Sequence, residues 1–197
     1  MRSLIARFAV PVLAVALLAQ PARADMTDDC VQTANPKLAV DACTQAINSG
    51  QWSGEDLAWA YNNRGNAYVN LGEPRRGIED LEEAMRLRPR YARAFYNRGV
   101  AYEDLNQDGT ALKDYTTAIS YDPEYADAYY NRGVLHAEAG RKDEAFRDME
   151  QTLRLEPNAV DALTRRGLIL AGYGDYGSAI ADYDRALQIN PSYGYAY

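Results

Sequence analysis

Five residue columns recur with a step of 34, and this period limits the fold more than any other property of the chain. Gly65, Gly99, Gly133 and Gly167 form one column, and Pro89, Pro123, Pro157 and Pro191 another. Arg64, Arg98, Arg132 and Arg166 keep the same step. So do Asp80, Asp114, Asp148 and Asp182, and Ala60, Ala94, Ala128 and Ala162. A fixed period of roughly 20–50 residues marks an array of supersecondary units that bury their apolar faces on one another. The units read as 58–91, 92–125, 126–159 and 160–193.

Each unit reads as two helices. Tyr61, Gly65, Tyr68 and Leu71 lie on one helical face. A turn follows at Gly72, Asn106, Gly140 and Gly174, where only residues that tolerate the left-handed conformation occur. Gly77, Leu81 and Ala84, and later Ala111, Tyr115 and Ala118, mark the face of the second helix. The proline column ends it, because a residue before proline resists helical geometry. A helical Gly costs about 1 kcal/mol relative to Ala. Keeping Gly at one place in four units implies a close helix contact, and Gly133→Leu is expected to separate the middle repeats and damage folding.

These residues carry a family resemblance. Ala60-Tyr61-Asn62-Asn63-Arg64-Gly65-Asn66-Ala67-Tyr68, followed by Leu71-Gly72, Ala84 and Pro89, resembles a tetratricopeptide (TPR) repeat. Tyr96-Asn97-Arg98-Gly99 with Pro123 and Tyr130-Asn131-Arg132-Gly133 with Pro157 do the same. The fourth repeat departs most, with Arg165 in place of Asn and Leu170 in place of an aromatic residue. The resemblance implies an all-α fold, a right-handed superhelical solenoid of helix-turn-helix repeats.

The segments outside the four units have their own signatures. Residues 1–24 read as a signal peptide: Arg2 and Arg7 give a positive start, Phe8 to Ala19 is apolar, and Ala22-Arg23-Ala24 has the form of a cleavage site. A cut after Ala24 removes three arginines and no acid, taking the formal charge from −7 to −10. The expected location is therefore periplasmic or secreted, with no membrane span after cleavage. An acidic chain is repelled by phosphates, so nucleic acid is not an expected partner. Residues 25–57 look like a degenerate leading helix pair, with a short first helix over Asp28 to Thr33. Cys30 and Cys43 fall where paired helices touch, and an oxidising compartment favours their disulfide. Closing that loop stabilises by roughly 3 kcal/mol in the chain-entropy account. Ser53 and Asp56 resemble a capping box, and Trp52 is expected to pack on the first repeat. Residues 194–197 read as the stub of a further first helix, which leaves the last unit open to a partner or to a second copy.

No catalytic constellation stands out. His136 is the single histidine and occupies the column of Tyr68 and Tyr102, a packing place. No phosphate-cradling loop or calcium loop occurs, and neither enzyme activity, metal nor cofactor is expected. The Arg and Asp columns read as structural pairs between helices, with a ligand role as the alternative.

What the resemblance implies about binding falls on the first helices, which line a concave groove in such arrays. Asn63, Asn97 and Asn131 would form an asparagine ladder along an extended peptide, and an amide can both donate and accept. Arg165 continues the ladder with a charge suited to a carboxylate. Tyr96 and Tyr130 lie beside it, with Asn66, Val100, Val134 and Leu168 one turn on. Replacing Asn97 and Asn131 with Ala is expected to spare folding and weaken partner binding. The functional expectation is a protein–protein interaction scaffold that holds a peptide or protein segment in this groove. The alternative is an assembly module that self-associates or docks through its open C-terminal end, as a homo-oligomer or on another subunit.

Overall fold

The computed structural model describes residues 23–31 and 34–193. Among these residues the regular structure is entirely helical. A leading pair, α1 (Arg23–Cys30) and α2 (Pro36–Asn48), precedes a 3-10 turn at Gly54–Leu57. Four hairpins follow: α3 (Ala58–Asn70) with α4 (Pro74–Leu87), and α5 (Ala92–Asp104) with α6 (Asp108–Tyr121). Then come α7 (Ala126–Glu138) with α8 (Lys142–Leu155), and α9 (Val160–Gly172) with α10 (Tyr176–Ile189). Each first helix packs most closely on its own second helix, and each second helix next packs on the first helix that follows. The result is a right-handed superhelical solenoid.

Local chemistry explains the hairpins. Gly72, Asn106, Gly140 and Gly174 have φ of 75, 56, 73 and 84°, so each connection uses the left-handed turn that the sequence marks. α4, α6, α8 and α10 each stop two residues before the column proline. At the helix crossing, a Cβ on Gly133 would lie 2.6 Å from Met149 Cε and 2.9 Å from Asp148 Cβ. Met149 and Asp148 belong to α8, the partner within the same hairpin. The expectation that Gly133→Leu separates neighbouring repeats is therefore corrected: the glycine closes a repeat internally.

The Arg column ties the stack together. Arg64, Arg98, Arg132 and Arg166 each give two hydrogen bonds to the aspartate of their own second helix, at 2.7–2.9 Å. A third guanidinium nitrogen reaches back to the preceding unit: Arg64 to Thr44 Oγ1 at 3.1 Å and Arg132 to Thr116 Oγ1 at 3.3 Å. Arg64, Arg98 and Arg132 also lie over the rings of Tyr61, Phe95 and Tyr129. Such a strut fixes the angle between repeats more than it adds stability.

The leading pair is stapled by a Cys30–Cys43 disulfide, with both cysteines buried. The first helix runs Arg23–Cys30 rather than from Asp28 to Thr33; Thr33 lies outside the described residues. Asn35 caps α2, its side chain accepting from Leu38 N at 3.2 Å ahead of Pro36. Trp52 is buried and meets Trp59 edge-on at 5.3 Å, which locks the leading pair onto α3. Ser53 makes no capping hydrogen bond, because a 3-10 turn and not an α-helix begins there. The expected capping box does not form.

At the other end, α10 shows an uncovered apolar face. In the third hairpin Phe146 is met by Tyr173 of the next repeat, with ring centroids 6.3 Å apart. The equivalent residue of the fourth hairpin, Ile180, is 59% exposed, and Tyr176 one turn before it is 66% exposed. Residues 194–197, expected to be a helix stub, and residues 1–22, most of the expected signal peptide, lie outside the described residues.

Candidate peptide groove

The ladder positions fall on successive first helices: Asn63 on α3, Asn97 on α5, Asn131 on α7 and Arg165 on α9. Their amides are not all free. Asn97 Nδ2 donates to Asn62 Oδ1 at 3.0 Å, and Asn62 Nδ2 donates to Asn63 Oδ1 at 3.0 Å. Asn97 is 7% exposed and Asn62 1%. The two side chains thus connect α3 to α5, so Asn97 has a structural contact in addition to the groove role expected of it. Asn131 Nδ2 lies 3.3 Å from Tyr96 Oη and 3.4 Å from Tyr115 Oη. Among the described residues no fully buried side-chain polar atom lacks a partner.

Tyr115 explains why the middle of the groove is closed. Its column otherwise holds Leu81, Met149 and Tyr183. The ring lies against Gly99, where a Cβ would come within 2.6 Å of it. The residue is fully buried, and its hydroxyl donates to the Glu103 carboxylate. The Tyr96 ring packs against Tyr115 at 5.7 Å and Tyr125 at 4.8 Å. Burial pushes the Tyr96 phenol up to about 12 and raises the phenols of Tyr115 and Tyr125 as well. Burial also raises Glu103 above the usual carboxylate range, against the Tyr115 hydrogen bond that lowers it. Val100 packs beside the buried Ala111, Tyr115 and Leu135, and Val134 against the core of the last two hairpins.

Among the described residues, cavities lie at both ends of the ladder. At the N-terminal end, Asn63, Asn66 and Asn70 line a cavity of about 30 Å³ over Cys30, Val31 and Ala39. That volume suits about one water molecule. At the C-terminal end, Tyr130, Asp161, Thr164, Arg165, Leu168 and Tyr193 line a cavity of about 320 Å³. A second cavity of about 200 Å³ adjoins it through Arg165 and Leu168. The Tyr193 hydroxyl donates to Asp161, and burial with that bond pushes the phenol up to about 12.

Sequence reasoning did not find Tyr115, Glu103 or Tyr193 as site residues, nor Lys142, which lines the second cavity. Tyr115 had a signal, since a hydroxyl in an otherwise mostly apolar column asks for a partner. Lys142 had none, because it sits on a second helix. His136 is half-buried at the end of α7, where its Nδ1 accepts from Arg141 Nε at 2.9 Å; burial lowers its pKa. Among the described residues no group of three or more His, Cys, Asp or Glu is placed to hold a metal, and no helix is long and apolar enough to cross a membrane.

The stacked hairpins and their concave face define a helical-repeat scaffold. Tetratricopeptide-repeat profiles match residues 62–111, 126–159 and 160–193, and a TPR-repeat profile matches 104–140. The matches run without a break from 62 to 193, and the chain belongs to the tetratricopeptide-repeat family. Repeats of this family generally serve protein–protein interaction rather than catalysis. No curated protein sequence matches the chain. Among solved structures, MamA is similar at 25% identity, covering 80% of this chain and 90% of its own, with a TM-score of 0.67. YrrB, a TPR protein with an unusual peptide-binding site, is 24% identical over 82% of this chain and 81% of its own, with a TM-score of 0.63. TTC0263, a thermophilic TPR protein of Thermus thermophilus, is 21% identical over 87% of this chain and 93% of its own, with a TM-score of 0.69.

Proposed function

We propose that this protein is an exported adaptor that holds an extended segment of another protein on its concave face, chiefly through the last two repeats. The observation that carries the reading is the uneven state of the groove. The middle is closed by its own hydrogen bonds, whereas Arg165 and Leu168 stand open where two cavities meet. An amphipathic Tyr130 wall beside an exposed Leu and a charge offers area and orientation together. Export is supported by the leader signature of residues 1–24 and by the disulfide, which persists in oxidising compartments. A photo-crosslinking residue placed at Leu168, and in a control at the exposed Lys113, tests the groove in envelope extract. A segment captured at 168 and absent at 113 supports it. Equal capture at both positions would remove the groove from the account.

A second reading rests on a different observation. Tyr176 and Ile180 are exposed together on α10, and Phe146, the equivalent of Ile180 one repeat earlier, is covered by Tyr173 of the repeat that follows it. Contact with a second copy through these two residues predicts concentration-dependent association that Ile180→Lys abolishes, read by sedimentation equilibrium. A monomer at all concentrations, with Ile180 intact, would dismiss it.

A further inference from the structure

Charge changes sign from one repeat to the next along the edge where second helices turn into first helices. The junction of α4 and α5 carries Arg88, Arg90 and Arg93, and no acid occurs between Glu83 and Glu103. The same three columns hold Asp122, Glu124 and Asp127 at the junction of α6 and α7. At the junction of α8 and α9 they hold Glu156, Asn158 and Asp161. Arg93 stands in the first turn of α5, where the helix dipole disfavours a cation, whereas α7 and α9 place Asp127 and Asp161 there. Arg90, Arg93, Glu124 and Asp127 are exposed, and among the described residues none of their side chains enters an ion pair. Arg88 is partly held, donating to Glu55 O at 3.0 Å and lying over the Tyr91 ring. The guanidinium of Arg90 lies 5.5 Å from the ring centre of Tyr121, the residue before Asp122, so the basic and acidic junctions are neighbours.

We propose that this edge pairs with the same edge of a second copy about a two-fold axis. Arg90 and Arg93 of each copy face Glu124 and Asp127 of the other. Adjacent patches of opposite sign are self-complementary under such a rotation, because a two-fold contact sets residue i against j and j against i. A uniformly anionic surface fits this edge less well. It would attract the arginines and repel the acids one repeat along. The rotation also sets Glu156 opposite Glu55 and Asp56 of the second copy, so like charges confine the contact to the two central junctions. The pairing uses neither the concave face nor Tyr176 and Ile180, and it depends on neither reading above.

The test is sedimentation equilibrium of chains that all carry Ile180→Lys, which keeps α10 out of the contact. The salt is about 0.1 M, where screening acts over about 10 Å. The chain with both junctions intact should form a reversible dimer. Arg90→Glu with Arg93→Glu should weaken it at least about tenfold, and so should Glu124→Arg with Asp127→Arg. An equimolar mixture of these two variants should dimerise again, because each reversed junction then meets the opposite sign. That recovery also shows that both variants fold. A monomer with both junctions intact, a dimer that neither reversal weakens, or a mixture that stays monomeric overturns the pairing. Weakening by the arginine reversal alone overturns it too, and assigns the basic junction to an anionic partner of another kind.

Discussion

Arg132 grips Asp148 through two parallel hydrogen bonds, Nε to Oδ2 at 2.9 Å and Nη2 to Oδ1 at 2.7 Å. The aspartate side chain is 6% exposed and the arginine 19%. Removing one partner strands the other in a poorly solvated place. Asp148→Ala should therefore cost roughly 3 kcal/mol of unfolding free energy in urea. Arg132→Lys should recover little of the loss of Arg132→Ala, because an ammonium cannot reach both oxygens and Thr116 at once. Full recovery in the Lys variant would make the contact one of charge alone.

The glycine crossing predicts a coupled pair. Gly133→Leu forces a side chain into the space of Met149 Cε and Asp148 Cβ, and overpacking of this kind costs about 3 kcal/mol. Met149→Ala removes the flexible obstacle. The double variant should lose less than the sum of the single losses, measured by chemical denaturation. Simple additivity would show that the two residues do not compete for space.

Asn97→Ala should destabilise the fold by about 1–2 kcal/mol, since it leaves Asn62 Oδ1 buried without its donor. Asn63→Ala should cost less, because Asn63 is more exposed and only accepts from Asn62. Equal melting temperatures for Asn97→Ala and the intact chain would contradict the buried link. The same comparison separates a folding role for the ladder from a binding role.

What the sequence made legible was whatever repeats. The left-handed turns at Gly72, Asn106, Gly140 and Gly174, and the bidentate Arg–Asp pairs, each follow from a column read four times. The site was less legible because it depends on where columns differ. Asn97 reads as a groove residue, and Asn62, its neighbour one repeat earlier, gives it a structural contact as well. Tyr115 closes the centre through a hydroxyl that only its own repeat directs at Glu103 and Asn131. Lys142 reaches the cavity from a second helix, across Gly172, a juxtaposition no single column contains. Ser53 failed as a cap because the chain enters α3 through a 3-10 turn, which the spacing of Ser53 and Asp56 does not distinguish from an α-helical start.

The Cys30–Cys43 disulfide should matter locally. It ties α1 to α2 ahead of the repeats, so its loss acts on the leading pair and, through Trp52 and Trp59, on the first hairpin. Cys30→Ser with Cys43→Ser should cost about 2–3 kcal/mol. Hydrogen exchange should quicken in α1 and α2 while α7 to α10 stay protected. Uniform loss of protection along the chain would instead show that the array unfolds as one unit from this end.

Glu103 gives a pH signature for the closed centre of the groove. Burial raises its pKa in the folded chain, so the ionised form is the disfavoured one. The unfolded chain ionises Glu near pH ~4.3. Between that value and the raised folded value, the unfolded state releases a proton that the folded state keeps, and stability falls as pH rises. Above the folded value the penalty is complete and constant. Glu103→Gln removes the titration while retaining an oxygen that can accept from Tyr115. The melting temperature of the intact chain relative to this variant should therefore decline as pH rises above the ordinary carboxylate value and level off once Glu103 is ionised in the folded chain. A difference that does not change with pH would mean that Glu103 ionises alike in both states, and that the centre of the groove is wetter than its hydrogen bonds imply.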